Sequence, residues 1–435
     1  MKIYLKALGC RLNEAELEQW SRDFTVEGHE IVKNGNDADI VVINTCAVTT
    51  EATKKSRKLM NRLHRENPQS KLVVSGCYAT LEEQDVAKRL GVDLVVNNQQ
   101  KELLPRRVMD EFAANTMPLI AMNPEEPSLF LRGKQRAFIK IQDGCRYRCT
   151  FCIVTVARGE ERSRSIADII EEVNRLHQQG ITEIVLTGVH VGGYGSDLSV
   201  SLFELVKTLL QETDMPRIRF ASVEPWDLPD EFFTLFENKR LMPHMHLPLQ
   251  SGADTVLRRM SRRCKTADFA SLVQQARIAI PDFNVTSDII VGFPGETDEE
   301  WQQTLETVES IGFGHIHIFS YSQREGTKAA RLPNQVPKEI KKVRSLEIHQ
   351  IADKLKSEIL QLQIDKTVDV LWESQKPENA NVVSKVGQVV YSGYTPNFCR
   401  VETIVDNTVL LESKIIKTTL TDLSSSRGIL KGTVV

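Results

Sequence analysis

No run in this 435-residue chain approaches the length needed to cross a bilayer. The first residues, Met1-Lys2-Ile3-Tyr4-Leu5-Lys6, hold no apolar stretch long enough for a secretory signal. A cytoplasmic protein with no membrane attachment is therefore expected. The net charge is only −3, so there is no global basic footprint, and any nucleic acid must be drawn by local patches. The glycine-rich stretch Gly192-Gly193-Tyr194-Gly195 lacks the Lys-Ser/Thr ending of a phosphate loop, which argues against nucleoside-triphosphate hydrolysis. The apolar fraction, 41%, and the charged fraction, 26%, are ordinary for a globular protein long enough for two or three domains. Eight cysteines in a cytoplasmic chain point to metal or catalysis before disulfides.

Three of them stand in the run Gly144-Cys145-Arg146-Tyr147-Arg148-Cys149-Thr150-Phe151-Cys152, with no fourth cysteine nearby. This Cys-x3-Cys-x2-Cys spacing can hold three irons of a [4Fe–4S] cube and leave the fourth without a protein ligand. Such an open metal position can bind a substrate or cofactor. Zinc is the rival metal, but a closed structural zinc site takes four ligands, commonly from paired Cys-x2-Cys arms. Unconnected core cysteines are the plainest alternative.

A second trio is spread along the chain. Cys10, Cys46 and Cys77 each follow a short aliphatic run: Ile3 to Gly9, Asp39 to Thr45 and Lys71 to Gly76. Each run reads as a buried strand. Helical stretches lie between and after them, over Glu14–Gly28, Thr50–Glu66 and Leu81–Leu90. Strand–helix alternation implies an open parallel sheet, whose strands share one carboxyl edge. Three cysteines at three strand ends would meet there. Buried core cysteines are the simple alternative, and a second three-thiolate cube is the functional one.

Both patterns resemble a known family. The Cys145 run is similar to the signature of the radical S-adenosylmethionine (SAM) enzymes, with Phe151 at its aromatic position. Leu8-Gly9-Cys10-Arg11-Leu12-Asn13, Ile43-Asn44-Thr45-Cys46 and Ser75-Gly76-Cys77 resemble the cluster segments of the methylthiotransferases within that group. The resemblance covers essentially the whole chain. It implies two [4Fe–4S] clusters, one on Cys145, Cys149 and Cys152, the other on Cys10, Cys46 and Cys77. It also implies SAM as cofactor, a transfer RNA substrate and a reductant such as a flavodoxin or ferredoxin. In such enzymes the first cluster cleaves SAM to a 5′-deoxyadenosyl radical and the second supplies sulfur, because an unactivated C–H bond is beyond general-base chemistry.

The middle of the chain alternates strands (137–142, 183–186, 217–221, 244–249, 284–291, 315–321) with helices (165–179, 202–212, 266–279, 298–311). Six repeats suggest a partial (β/α)6 barrel, with chemistry at the carboxyl ends of its strands. By position and resemblance, Gly188, Ser222, Gln250 and Gly292 are assigned to the SAM surroundings; ordinary turn chemistry at strand exits is the alternative. An amphipathic helix over 337–363 is expected to pack on the barrel.

Short alternating segments then follow at 367–372, 388–391, 399–401, 409–411 and 414–418. They read as a small antiparallel β-barrel, resembling the RNA-binding (TRAM-like) barrel of many RNA-modifying enzymes. Its Tyr394 and Phe398 either stack on bases or plug a core. The expected class is thus α/β: an N-terminal open parallel-sheet domain over 1–125, the radical SAM barrel with its trailing helix over 131–362, and the β-barrel over 363–435. The clearest basic run, Lys54, Lys55, Arg57, Lys58, Arg62, His64 and Arg65, is a solvated helix face or an RNA-backbone contact.

Arg11-Leu12-Asn13 after Cys10 resembles the branch that methylthiolates N6-threonylcarbamoyladenosine at C2, next to the anticodon. The isopentenyladenosine branch typically carries Gln-Met-Asn there, and the branch acting on a ribosomal-protein aspartate Pro-Lys-Asn. Ala157-Arg158-Gly159 and Arg162-Ser163-Arg164 match the family's segment after the cluster, whereas Thr155 and Val156 depart from its usual Pro-Tyr. The alternatives are an isopentenyladenosine enzyme, or a two-cluster electron-transfer or carrier protein. The latter explains six cysteines but not a six-repeat barrel with glycine-rich strand exits.

Overall fold

The computed structural model of the chain describes residues 1–89, 91–112, 136–375, 387–424 and 428–435. The first unit runs β1 (Lys2–Ala7), α1 (Arg11–Val26), β2 (Glu30–Ile31), β3 (Ile40–Thr45), α2 (Thr50–Glu66), β4 (Lys71–Gly76), α3 (Cys77–Leu81), α4 (Glu83–Ala87), β5 (Leu94–Val96) and α5 (Leu104–Phe112). Its sheet is parallel throughout, in the order β2-β1-β3-β4-β5. Strand residues alternate between faces. Val41, Ile43, Leu72 and Val74 pack against Leu59, Met60 and Leu63 of α2. Ile3, Leu5, Val42 and Val73 pack on the other face against Leu17, Trp20 and Phe24 of α1 and Val108 of α5. Both faces are covered, so every residue of β3 is buried. The three expected strands and α2 lie where the sequence placed them. The helix expected over Leu81–Leu90 is instead the short pair α3 and α4, and Leu90 lies outside the described residues.

The second unit contains β6 (Arg136–Lys140), β7 (Gln142–Asp143), α6 (Val154–Arg158), β8 (Arg162–Ser163), α7 (Ile166–Gln178), β9 (Glu183–Thr187), α8 (Leu202–Glu212), β10 (Arg217–Phe220), β11 (His244–His246), α9 (Asp254–Arg259), α10 (Thr266–Ala279), β12 (Asn284–Val291), α11 (Asp298–Ile311), β13 (His315–Ser320) and α12 (Lys338–Gln361). Two three-stranded parallel sheets, β10-β9-β6 and β11-β12-β13, are joined by parallel bridges Ile218–Leu241 and Ser222–His246. They form one open, six-stranded arc, the expected partial barrel. Between β10 and β11 a 3-10 segment, Asp230–Glu237, replaces a crossover α-helix, and Phe232, Phe233 and Phe236 fill the core there. From the first unit, Ala15 of α1 packs on Phe138 and Val185 of the arc.

The apolar face expected for α12 comprises Ile340, Val343, Leu346, Ile351, Leu355, Ile359 and Leu362. Leu355 is buried and Ile351 packs on the core, but Ile340, Val343, Leu346 and Leu362 are exposed, and Arg344, Ile348 and Ala352 are buried instead. Arg344 goes inward because Glu296 and Asp298 receive its guanidinium at 2.8 and 2.7 Å, and a charge is buried only when so paired.

The third unit is a closed barrel of β14 (Thr367–Gln375), β15 (Gln388–Tyr394), β16 (Arg400–Asp406), β17 (Ile415–Leu423) and β18 (Leu430–Val434), in the order β14-β15-β16-β18-β17. It is antiparallel except where β16 and β18 run parallel. No strand forms at Val409–Leu411, where the chain turns out of β16, and β18 was not anticipated. The expected joint between residues 125 and 131 lies outside the described residues.

Candidate active site between two cysteine trios

β1, β3 and β4 are neighbours in the first sheet, so the loops at their carboxyl ends lie side by side. Cys10 caps the start of α1, Cys46 follows β3, and Cys77 opens α3. Two glycines let these loops close. Gly9 has φ +100°, and a Cβ on it would stand 2.6 Å from the Cys46 Sγ; Gly76 has φ +95°, and a Cβ there would stand 2.3 Å from the Thr45 carbonyl. Side chains are excluded at both positions by space and by backbone conformation. Asn13 ties the edge together: its Nδ2 donates to the Leu8 carbonyl at 2.6 Å and to the Thr45 carbonyl at 3.3 Å. Ser56 Oγ accepts from the Cys46 N–H and donates to its carbonyl. Asn98 Nδ2 reaches the Cys77 sulfur at 3.8 Å.

All six thiols are unpaired by disulfides. Cys46 and Cys77 are buried, whereas Cys10 is exposed. Burial pushes the Cys46 thiol up to about 11, so at neutral pH this thiol is protonated until a metal displaces the proton.

The second trio sits in the loop between β7 and α6. The Cys145 N–H bonds the Gly159 carbonyl, and the Cys152 N–H bonds the Cys149 carbonyl. Thr150 fastens the loop to the barrel through the Met260 carbonyl and the Ala329 N–H. Burial raises Cys145 to about 12 and Cys152 to about 11. Arg262 lies 4.0 Å from the Cys149 sulfur, over the Trp226 ring. Three thiols per loop set, no fourth sulfur, and backbone drawn close by glycine fit a cube with one open iron on each side.

Sequence reasoning missed what joins the two trios. Arg158, fully enclosed, donates to Glu16 at 2.9 Å, to Asp143 at 3.0 Å and to Asn13 Oδ1 at 2.8 Å. Lys101 bonds Glu16 and reaches Asp143 at 2.6 Å. Burial alone would raise the Glu16 carboxyl; the Arg158 and Lys101 charges outweigh it and hold the group at about 2. Asn98 adds a bond to the Ala157 carbonyl. Asn13 thus holds both the Cys10 loop and the arginine that follows the Cys152 loop. Charged residues this far apart in sequence give no short pattern. Only the resemblance at Arg158 and Asn13 marked the segments.

Beside the Cys10 loop, inside the arc, lies a cavity of about 640 Å³. Cys10, Arg11 and Leu12 form one wall, Gly188 and Ser222 line the strand-end side, and Arg136, Arg219, His244 and Phe398 line the remainder. Of the four residues assigned to SAM, Gly188 and Ser222 face this cavity. Gln250 bridges to Ile289 with φ +77°. Gly292 gives its N–H to Glu296 and lies under the Lys341 side chain. Neither of these two lines the cavity.

Tyr394 and Phe398 stack on each other at 4.8 Å and on the Arg136 guanidinium, and Phe398 also meets Arg219 and His244. Neither ring lies in the barrel's own core, where a plug was one expectation; both pack across the junction between the third unit and the arc, and Phe398 lines the cavity. Cys264 and Cys399 are buried among core residues.

An open parallel arc with a Cys-x3-Cys-x2-Cys loop at its strand ends defines a radical SAM enzyme, and the Radical SAM superfamily model matches residues 139–308. The model "Uncharacterized protein family UPF0004" matches residues 2–97. The threonylcarbamoyladenosine tRNA methylthiotransferase MtaB of Thermotoga maritima is 37% identical over 351 residues, 79% of this chain and 80% of that one. Its Bacillus subtilis counterpart is 34% identical, over 95% of this chain and 92% of that one. A tRNA-2-methylthio-N(6)-dimethylallyladenosine synthase of Oceanobacillus iheyensis is 33% identical over 88% of this chain and 76% of that one.

The methyltransferase TsrM of Kitasatospora setae shares the fold at 13% identity, with a TM-score of 0.56 over 73% of this chain and 72% of that one. The chain belongs to the methylthiotransferase family of radical SAM enzymes. It is an enzyme whose cofactors are SAM and [4Fe–4S] clusters. No helix among the described residues is long and apolar enough to cross a membrane.

Proposed function

We propose that this protein inserts a methylthio group at C2 of N6-threonylcarbamoyladenosine beside the anticodon of transfer RNA. The observation that carries the reading is a cavity walled by the Cys10 loop on one side and the Gly188 and Ser222 strand ends on the other. A substrate base held there would lie against the Cys10 loop, at the strand ends of the arc that carries the Cys145 loop. When loaded, the clusters and SAM supply reductive radical formation and the transferred sulfur and methyl group.

The chain's own residues bind and orient. Cys145, Cys149 and Cys152 would hold one cluster, and Cys10, Cys46 and Cys77 the other. Gly188, Ser222, Gln250 and Gly292 would surround SAM along the strand exits. Asn13 and Arg158 hold the two loops at a fixed separation, and Phe398 and Tyr394, packed across the junction with the third unit, keep water out from below.

The transfer RNA backbone would lie on the basic face of α2. Lys55, Lys58, Arg62, His64 and Arg65 line a groove with Lys6 there, and among the described residues no carboxylate lines it, although Glu66 stands 3.8 Å from Arg62. The three domains would be residues 1–125, 131–362 and 363–435, the last an RNA-binding barrel, in a cytoplasmic enzyme reduced by a flavodoxin or ferredoxin. The relatives named for threonylcarbamoyladenosine support the substrate, as does the Arg11-Leu12-Asn13 segment. Mass spectrometry of transfer-RNA nucleosides from cells lacking the protein tests it. Loss of 2-methylthio-N6-threonylcarbamoyladenosine is expected; loss of the methylthio-isopentenyl nucleoside instead would overturn it.

A further inference from the structure

The cavity beside the Cys10 loop is lined by three arginines, Arg11, Arg136 and Arg219, and, among the described residues, by no aspartate or glutamate; Asp288 stands behind the lining His246 at 3.2 Å. Such a lining selects for an anion. Two of the three share one buried carboxylate, Glu183, although Nε and Nη1 of Arg219 have no hydrogen-bond partner. Arg136 meets Glu183 at 2.9 Å and Glu373 at 3.3 Å. Arg219 is buried against Glu183 and the Phe398 ring.

Arg11 is different. Its side chain is 57% exposed, and its only ion pair is a 3.3 Å contact with Glu14 one turn along α1, a kind of surface pair that contributes little and exchanges readily. Its guanidinium lies over the Phe138 ring at 4.9 Å, which aims it across the cavity. His317 also lines the cavity; burial lowers its imidazole, His246 and Arg11 act the same way, and Asp288 acts against them. Of the three arginines, Arg11 is the one whose guanidinium is largely exposed.

Arg11 is also the residue next to Cys10. In adenine, C2 and the carbon bearing N6 both flank N1. A base presented with C2 toward the Cys10 loop therefore lays its N6 arm along the same edge. We propose that Arg11 is the specificity-determining residue of the site, a guanidinium that receives the carboxylate of an acidic arm on N6 of the substrate adenosine. The inference rests on the substrate reading above and adds the group that recognises it. A planar guanidinium suits a carboxylate because two parallel N–H···O bonds can form. An uncharged isopentenyl arm would leave that charge without a partner, so the same residue discriminates against it.

The test uses anaerobically reconstituted holoenzyme and three anticodon stem-loop RNAs. One carries the free threonyl carboxylate, one the corresponding carboxamide, and one isopentenyladenosine. Binding is read by fluorescence anisotropy, and turnover by methylthio product. The wild type should bind the acid RNA about tenfold more tightly than the amide. Arg11→Gln should erase that preference by raising KM for the acid RNA while leaving KM for the amide in place. Arg11→Lys should restore part of it, since charge returns without the fork.

An equal loss on acid and amide RNAs would overturn the proposal, because a phosphate contact or a folding defect acts on both alike. Absence of acid-over-amide preference in the wild type would overturn it too. A wild type that converts the isopentenyl RNA and not the acid RNA removes the substrate reading and this inference with it. That outcome is told apart from failure of Arg11 alone by the missing acid-RNA product.

Discussion

The two cysteine trios, each proposed to hold a cluster, have opposite architecture. Cys145, Cys149 and Cys152 sit in one loop, and local backbone bonds such as Cys152 N–H to Cys149 carbonyl already shape it. Cys10, Cys46 and Cys77 come from three loops, and only the strand order β1-β3-β4 makes them neighbours. One metal frame is written in a stretch of sequence; the other is written in a sheet. A frame of the second kind exists only while its domain is folded, and it depends on close approaches such as Gly9 against Cys46. The enclosed set of Glu16, Lys101, Asp143 and Arg158 then fixes the distance between the two.

The sharpest way to break the comparison is to remove one thiol from each trio. Cys149→Ala should abolish 5′-deoxyadenosine formation altogether. Cys46→Ala should leave SAM cleavage measurable while methylthio product disappears. Normal methylthiolation by Cys46→Ala would refute a second cluster on the strand-end trio, and retained SAM cleavage by Cys149→Ala would refute the loop assignment.

A smaller effect is expected from the link. Arg158→Met leaves the buried Glu16 with Lys101, leaves Asp143 with Lys101, Lys140 and Arg162, and frees Asn13 Oδ1. Breaking a buried pair in this way costs roughly 3–5 kcal/mol, well above the ~1 kcal/mol of an ordinary hydrogen bond. The urea midpoint should fall accordingly, and product per SAM cleaved should drop as the two loops lose their fixed separation. Arg158→Lys, which keeps a charge, should recover part of both. An unchanged midpoint would show that the set does not hold the units together.

The same contrast explains what was legible in the sequence. β-branched runs ending in cysteine, as in Ile40–Thr45, announced both strand and ligand, because buried parallel strands need such residues on both faces. Strands of two or three residues, Glu30–Ile31 and Leu94–Val96, carried too little pattern to be seen. On α12 the apolar residues suggested a partly wrong face, since burial of Arg344 follows from partners on α11 and the loop before it, not from its own type. The Glu16–Arg158 set was invisible for the same reason: its members lie far apart in sequence, and charge pairs across domains leave no period. Arg11 was legible only as part of the Arg11-Leu12-Asn13 segment whose resemblance pointed to the substrate. Its place on the cavity wall needed the arc and the first sheet together.

The weakest effect per residue is expected on α2, outside both frames. Lys54, Lys55 and Lys58 are exposed on the turns after Cys46, and Lys55 and Lys58 line the basic groove with Arg62 and Arg65. Arg57 on the same helix is drawn away, bonded to Tyr78 and Glu82, so the seven-residue basic run overstates the free charge. Charge reversal of the three lysines to glutamate should leave the Cys145 loop and SAM cleavage without RNA untouched, because none of them contacts either trio. It should weaken transfer-RNA binding and flatten its salt dependence by up to about 0.9 logarithmic units of slope per lost phosphate contact. Affinities measured across a salt series decide the point. An unchanged slope would return α2 to a solvated helix face and leave recognition to the cavity and the third unit alone.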